Sequence, residues 1–264
     1  MKVTVLASGS KGNSMLIEGE GHSFLIDAGL SYRELNTRLK SVGSGMEKIS
    51  FVLFSHSHCD HTRAAMQLVR NKIPFCACDE TMDEIRLKLE EEQKGYVDLE
   101  NAHIFPLCGS FPLGEFKIYP IQLSHDVHNV GFRIESPKDT IVAGTDTGYL
   151  PDEFIAATYG ASKVIIESNY DPEMLRKNPN YPNDLKARIR SKHGHLENID
   201  CAKGIEAILK DGKKTFVLAH LSEQNNTPEL AFNTNEMYLR EQGIRTGFDY
   251  KMFVSAQHIV TRIE

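Results

Sequence analysis

Apolar residues in the first third of the chain alternate with polar ones in short runs. Residues 3–7 (VTVLA), 14–18 (SMLIE) and 23–29 (SFLIDAG) are β-rich and separated by glycine-containing turns, which predicts a meander of hairpin-linked strands. The period then changes. Leu35, Leu39 and Val42 recur at helical spacing behind Ser31, a suitable N-cap, and predict a helix over 32–42 that leads into the apolar run 51–54 (FVLF). Residues 62–70 read as helix, 74–78 (PFCAC) as strand and 81–93 as a charged amphipathic helix. From about 102 to 143 strand patterns return in HIFPL, FKIYPIQL, VGFRIES and TIVAG. Two more apolar runs, 163–166 and 215–219, end in polar residues, with helical stretches near 152–158, 182–191, 199–209 and 228–242. Strand-rich halves with interleaved helices predict two sheets packed face to face with helices outside. No repeat, low-complexity tract or long linker divides the sequence, so one continuous domain over 1–264 is expected.

Composition narrows the class. With 264 residues and 41% hydrophobic content the chain can bury a substantial core. The opening MKVTVLASGS lacks the unbroken apolar region of a secretory signal, and no run approaches the roughly 18 apolar residues of a membrane span, so a cytoplasmic protein without membrane association is expected. Cys59, Cys76, Cys78, Cys108 and Cys201 are odd in number and form no CxxC pair, which argues against a disulfide framework or zinc knuckle. A net charge of −6, from 30 basic and 36 acidic residues, leaves no global field for a polyanion. Any nucleic-acid contact must be local. The stretch between Met174 and His195 offers Arg176, Lys177, Lys186, Arg188, Arg190 and Lys192 against Asp184 alone, although a solvated helix face has the same composition.

The chemistry concentrates in SHSHCDH, residues 55–61, directly after the apolar run 51–54. On an extended segment His56 and His58 point to the same side, as two ligands of one metal must, while Asp60 and His61 face a second position. Further ligands are then needed from other strand ends. His125, Asp146 and His220 are each the first strong ligand after a β-rich run, a recurrence that outweighs reading any one of them as a satisfied loop residue. Histidine and carboxylate donors without thiolate suit zinc, and also manganese.

This order of motifs, Asp27 in FLIDAG, SHSHCDH, His125 in LSHD, Asp146 in AGTDTGY and His220 in LAHLS, resembles the metallo-β-lactamase-fold superfamily over nearly the whole chain. The resemblance implies an α+β, four-layer αββα sandwich of two mixed sheets with a dinuclear centre at the sheet edges. It places His56, His58 and His125 on one metal, Asp60, His61 and His220 on the other, and Asp146 between them. Asp27 would stand behind a ligand histidine and accept its remaining N–H. Asp146 occupies the place where zinc β-lactamases of the main subclass carry cysteine, which points away from antibiotic hydrolysis and towards phosphodiesterase, lactonase and thioester branches.

The phrases ASGSKGNS, IIESNYD, GHLEN and AHLSEQNN are similar to the YycJ/WalJ-type branch of bacterial metal-dependent DNA exonucleases. The order Glu167, His195, His220 also resembles the transfer-RNA 3′-processing branch, in which a Glu–His pair assists proton transfer. Tyr170 replaces an expected histidine and Glu197 a small hydroxyl residue, and no Gly/Pro-rich insertion supplies that branch's protruding arm. The resemblance implies a 5′-to-3′ DNA exonuclease with two divalent ions, zinc first and manganese second. A metal-bridging hydroxide would attack phosphorus, with Asp60, Glu167 and His195 as catalytic residues and His195 next to the leaving oxygen. An RNA-processing nuclease and a hydrolase of lactones, thioesters or cyclic phosphodiesters are the alternatives. Expected substrate contacts are Ser10 and Asn13, in the turn SGSKGNS whose backbone N–H groups could meet a phosphate, and Arg188, Arg190 and Lys192.

Overall fold

Strand alternation sorts the side chains into separate cores. In a computed structural model, which describes residues 1–263, Val3 and Val5 of β1 (Lys2–Ala7), Met15 and Ile17 of β2 (Ser14–Glu18) and Phe24 and Ile26 of β3 (Ser23–Ile26) face one core, while Leu6, Leu16 and Leu25 face another. β4 (Phe51–Leu53) and β5 (Phe75–Ala77) divide the same way, Phe51, Leu53 and Cys76 against Val52, Phe75 and Ala77. With β6 (Ala102–Ile104) these strands form the first sheet.

The second sheet mirrors this. It contains β7 (Phe111–Leu113), β8 (Phe116–Gln122), β9 (Val130–Ser136), β10 (Asp139–Gly144), β11 (Lys163–Glu167), β12 (Lys214–Ala219) and β13 (Tyr250–Val254). Phe116, Phe132, Ile141, Ile165 and Val217 meet the first sheet in the shared central core, whereas Val142, Val164, Phe216 and Leu218 face outward. Helices cover both outer faces. α1 (Tyr32–Ser41), α3 (Ala65–Arg70) and α4 (Asp79–Gln93) pack on the first sheet through Leu35, Leu39, Leu68, Met82 and Ile85. α5 (Asp152–Ala157), α8 (Asn198–Ile208) and α9 (Pro228–Glu241) cover the second through Phe154, Ile205 and Leu239. The result is the αββα sandwich expected from the sequence.

Sheet order is β14-β1-β2-β3-β4-β5-β6 and β13-β12-β11-β10-β9-β8-β7, with β14 at Thr261–Ile263. Each sheet is antiparallel in its meander and parallel beyond it, β3 through β6 in one and β10 through β13 in the other. The C-terminal ends of β3, β4, β8, β10, β11 and β12 therefore open on one edge of the sandwich, the position where parallel sheets place ligands.

Several boundaries differ from expectation. The helix expected over 62–70 is split into α2 (Cys59–Thr62) and α3, because the Ala64 N–H bonds to Ala28 O and the Ala28 N–H to His61 O. Tertiary pairing has replaced helical pairing there. β3 stops at Ile26, since Asp27 turns to φ 61°. β7, β13 and β14 sit at or next to sheet edges, and α6 (Pro172–Lys177) precedes α7 (Asn183–Ile189); none of these except α7 is marked by the sequence pattern. Among the described residues no helix is long and apolar enough to cross a membrane.

Candidate metal centre

The strand ends bring the chemistry together. His56, His58 and His125 form one group whose ligating atoms lie within 4.8 Å of one another, and Asp60, His61 and His220 form a second. Asp146 stands between them, with Oδ2 3.2 Å from His61 Nε2 and Oδ1 3.3 Å from His220 Nε2. It also groups with His56 and His61. All seven sequence-selected residues thus converge.

Backbone strain marks the same edge. Asp27, Asp146 and His220 have φ of 61°, 60° and 55°, a left-handed conformation that costs a residue with a side chain about 1–3 kcal/mol. Each is pinned. Asp27 N–H donates to Leu53 O at 2.8 Å, Asn129 Nδ2 donates to Asp146 O at 2.7 Å, and His220 N–H donates to Ser8 Oγ at 2.6 Å. Gly29 is required by close approach, since a Cβ there would lie 1.6 Å from Asp60 O.

A layer of hydrogen bonds aims the imidazoles. Asp27 accepts from His61 Nδ1 at 2.7 Å and from the Ser55 N–H at 2.9 Å. Glu167 Oε1 accepts from His220 Nδ1 at 2.9 Å and from His195 Nδ1 at 2.8 Å, while Oε2 accepts from the Thr147 N–H at 2.8 Å. Binding Nδ1 in this way leaves Nε2 of His61 and His220 facing Asp146. His125 Nδ1 donates to Gly194 O at 3.2 Å, and His56 Nδ1 lies 3.0 Å from Ser55 Oγ.

The donor set fits a divalent cation. His56 Nε2, Asp146 Oδ2 and His220 Nε2 are buried without a well-formed hydrogen bond, although all three belong to the converging groups. Buried polar atoms left without partners at one point fit a bound ion, and imidazole with carboxylate is the chemistry of zinc or manganese.

Electrostatics divide the two groups. Burial holds His56 well below its ordinary value and also lowers His58 and His125, so these rings are neutral and able to donate at pH 7. Burial acts in the same direction on His61 and His220, but carboxylates outweigh it. Asp27 and Asp146 hold His61 well above its ordinary value, and Asp146, Asp60 and Glu167 raise His220 to about 10. Burial would raise Asp146, yet His220 and His61 hold it well below the carboxylate range. Glu167 is likewise lowered by His195 and His220 against its burial. Protons on His61 and His220 supply the positive charge these carboxylates demand.

Other expected residues have mixed fates. Glu167 and His195 do pair, and Glu167 also holds His220, which the sequence did not signal. Asn13 is buried and directed inward, its Nδ2 3.2 Å from Asp60 Oδ2 and 2.9 Å from His61 Nε2. The SGSKGNS turn is not an open anion nest. The N–H of Gly9 goes to Asn13 Oδ1, that of Lys11 to Gln257 Oε1, that of Gly12 to Gly9 O and that of Asn13 to Asp60 O, leaving Ser10 exposed at its crown. Arg190 and Lys192 are exposed, whereas Arg188 is engaged by Asp126 at 3.3 Å. Cys59, within SHSHCDH, is exposed.

Asp126 was missed. Its Oδ1 lies 3.3 Å from His58 Nε2 and 3.2 Å from His125 Nε2, against the open side of the first group, and only its adjacency to His125 could have flagged it. Ser8 and Asn169, which pin His220, lie within the phrases ASGSKGNS and IIESNYD, but nothing in either phrase links them to His220.

Residues 22–221 match the family model described as the beta-lactamase superfamily domain. The chain is 33% identical over 263 residues to the exodeoxyribonuclease WalJ of Streptococcus pneumoniae serotype 2 (strain D39), covering 98% of this chain and 96% of that protein. It is 30% identical to the exodeoxyribonuclease YycJ of Bacillus anthracis, covering 99% and 97%. Among solved structures, the metallo-β-lactamase-fold protein YhfI of Bacillus subtilis superposes with a TM-score of 0.72 at 19% identity, covering 99% of this chain and 98% of that one. The chain belongs to the beta-lactamase superfamily domain family, in the branch that contains the WalJ and YycJ proteins.

Proposed function

We propose that this metal-dependent hydrolase is a dinuclear phosphodiesterase that acts on DNA as an exonuclease. The carrying observation is the division of imidazole and carboxylate donors into two groups on either side of Asp146, with the Glu167–His195 pair beside them. His56, His58 and His125 would hold one ion, Asp60, His61 and His220 the other, with Asp146 shared. Bound divalent ions lower the pKa of water towards neutrality and neutralise charge developing on phosphoryl oxygens. Zinc is the first choice and manganese the second.

The chain's own residues do the rest. Asn13 and Asp27 fix Asp60 and His61. Glu167 orients His220 and, through Nδ1, the ring of His195, whose Nε2 is left to pass a proton to the leaving oxygen. The exposed Arg190 and Lys192 lead directly into His195 and suit contacts to DNA phosphates, with Arg188 available once released from Asp126. The names of the 30–33% identical relatives support DNA as substrate. The 5′-to-3′ polarity we propose rests on family resemblance alone.

The test is a panel. Metal-free protein reloaded with zinc or manganese is offered end-labelled DNA, RNA, a lactone and a thioester. Release of mononucleotides from 5′ ends of DNA, dependent on added metal, is expected. Intact DNA beside a hydrolysed small ester would replace this reading with the small-molecule one, which the net charge of −6 favours.

A further inference from the structure

A further set of side chains of metal-ligating type stands outside the groups around Asp146. Cys78, Glu80 and His128 each bring one ligating atom within 4.8 Å of the others. They come from two segments far apart in sequence. Cys78 is the N-cap of α4 and Glu80 lies in its first turn, whereas His128 belongs to the loop between β8 and β9. Cys78 Sγ lies 3.2 Å from His128 Nδ1 and 3.1 Å from Thr81 Oγ1. The thiol is fully buried, His128 is half-buried and Glu80 is exposed, so a dry sulfur opens towards solvent through an imidazole and a carboxylate.

Each component suits a cation. Burial raises the Cys78 thiol, which therefore keeps its proton until a metal displaces it. Cys78 caps a helix of 15 residues, whose first amides favour negative charge on sulfur. The Thr81 hydroxyl accepts from the thiol and can rotate to donate to a thiolate.

We propose that Cys78, His128 and Glu80 form a third metal site, for a thiophilic divalent cation of the zinc class, with water as its fourth ligand. Binding exchanges the S–H bond for a metal–sulfur bond and releases the proton to solvent. The site's position gives it a structural consequence. His128 shares a loop with His125. α4 holds the segment between His56 and His58, because Glu84 accepts from Ser57 Oγ and Lys88 Nζ donates to Ser57 O at 2.5 Å. A cation on Cys78 and His128 joins these two supports and sets the spacing of the first histidine group.

Cobalt(II) tests this on the full chain, because thiolate bound to cobalt gives an intense near-ultraviolet charge-transfer absorption that nitrogen and oxygen donors do not give. The wild type at saturating cobalt should show this band and take up one ion per chain more than Cys78→Ser. The band should vanish in Cys78→Ser, weaken in His128→Ala and persist in Cys59→Ser. The proposal is overturned by wild-type protein that shows only the visible bands of nitrogen- and oxygen-bound cobalt, by equal uptake in wild type and Cys78→Ser, or by a band lost in Cys59→Ser. His128 is half-buried, so His128→Ala reports even if the serine variant fails to fold. None of these readouts depends on nuclease activity, so they stand or fall separately from the function proposed above.

Discussion

The two groups flanking Asp146 use the same imidazole chemistry in different company. In the first group the outer nitrogens of His56 and His125 meet neutral partners, Ser55 Oγ and Gly194 O. In His61 and His220 they meet the buried carboxylates of Asp27 and Glu167. Neutral partners orient a ring without adding charge. A carboxylate orients it and also makes it a stronger base, so it holds a cation more tightly but surrenders it more readily to protons. One group is therefore ready for a metal at pH 7, and the other is occupied by protons that the metal must displace.

The largest expected effect isolates Glu167, whose Oε1 is shared between His220 and His195. His195→Ala should lower turnover by about 10²–10⁴-fold, the usual worth of a general acid, while metal content by elemental analysis stays that of the wild type. Glu167→Gln should lower both. Metal loss in His195→Ala would move His195 from proton transfer to metal support.

Next in size is the carboxylate behind His61. Asp27→Asn should weaken binding of one metal equivalent by about 10–100-fold, read by competition with a chelator, and leave the remaining metal in place. Ser55→Ala, which removes a hydroxyl near both His56 and His61, should cost less. Equal losses in the two variants would erase the distinction between neutral and charged support.

Acidity separates the groups without mutation. His220 has its folded value raised from 6.5 to about 10 in the metal-free protein, so its stabilisation is complete below pH 6.5 and is lost as pH rises through about 10. His56, His58 and His125 are lowered, so their contribution is present above pH 6.5 and is lost as pH falls below it. Metal-free Tm should therefore decline on both sides of about pH 6.5 as far as these groups govern it. With zinc bound the alkaline decline should disappear, because the metal has replaced the His220 proton. Differential scanning calorimetry from pH 5 to 10 checks both limbs.

Much of this candidate centre was legible because its candidate ligands are uncommon residue types placed directly after apolar runs. His125, Asp146 and His220 could be chosen that way without knowing which strands pair. The partner network could not. Ser8 reaches His220 from the other end of the chain, and Cys78 meets His128 across a separation of 50 residues, so neither forms a local pattern. In the fold, the β-rich runs of β1 to β3 were long enough to be read as strands, whereas three-residue edges such as β7 and β14 offer too few positions to show a period. The break between α2 and α3 depends on Ala28, which lies on another strand's exit and is invisible to a helical pattern.

The smallest effect concerns the open side of the first group, where Asp126 joins His58 and His125 to Arg188. Arg188 is 60% exposed in this pair, so Arg188→Gln should change stability by less than about 1 kcal/mol. Its effect should appear instead in DNA affinity. Losing one phosphate contact lowers the slope of log affinity against log salt by about 1, and Arg190→Gln should do the same without touching Asp126. If Arg188→Gln leaves the slope unchanged while Arg190→Gln reduces it, Arg188 serves to hold Asp126 beside the histidines. The first group would then have a carboxylate of its own, fixed by an arginine on the rim where the second group relies on buried Asp27 and Glu167.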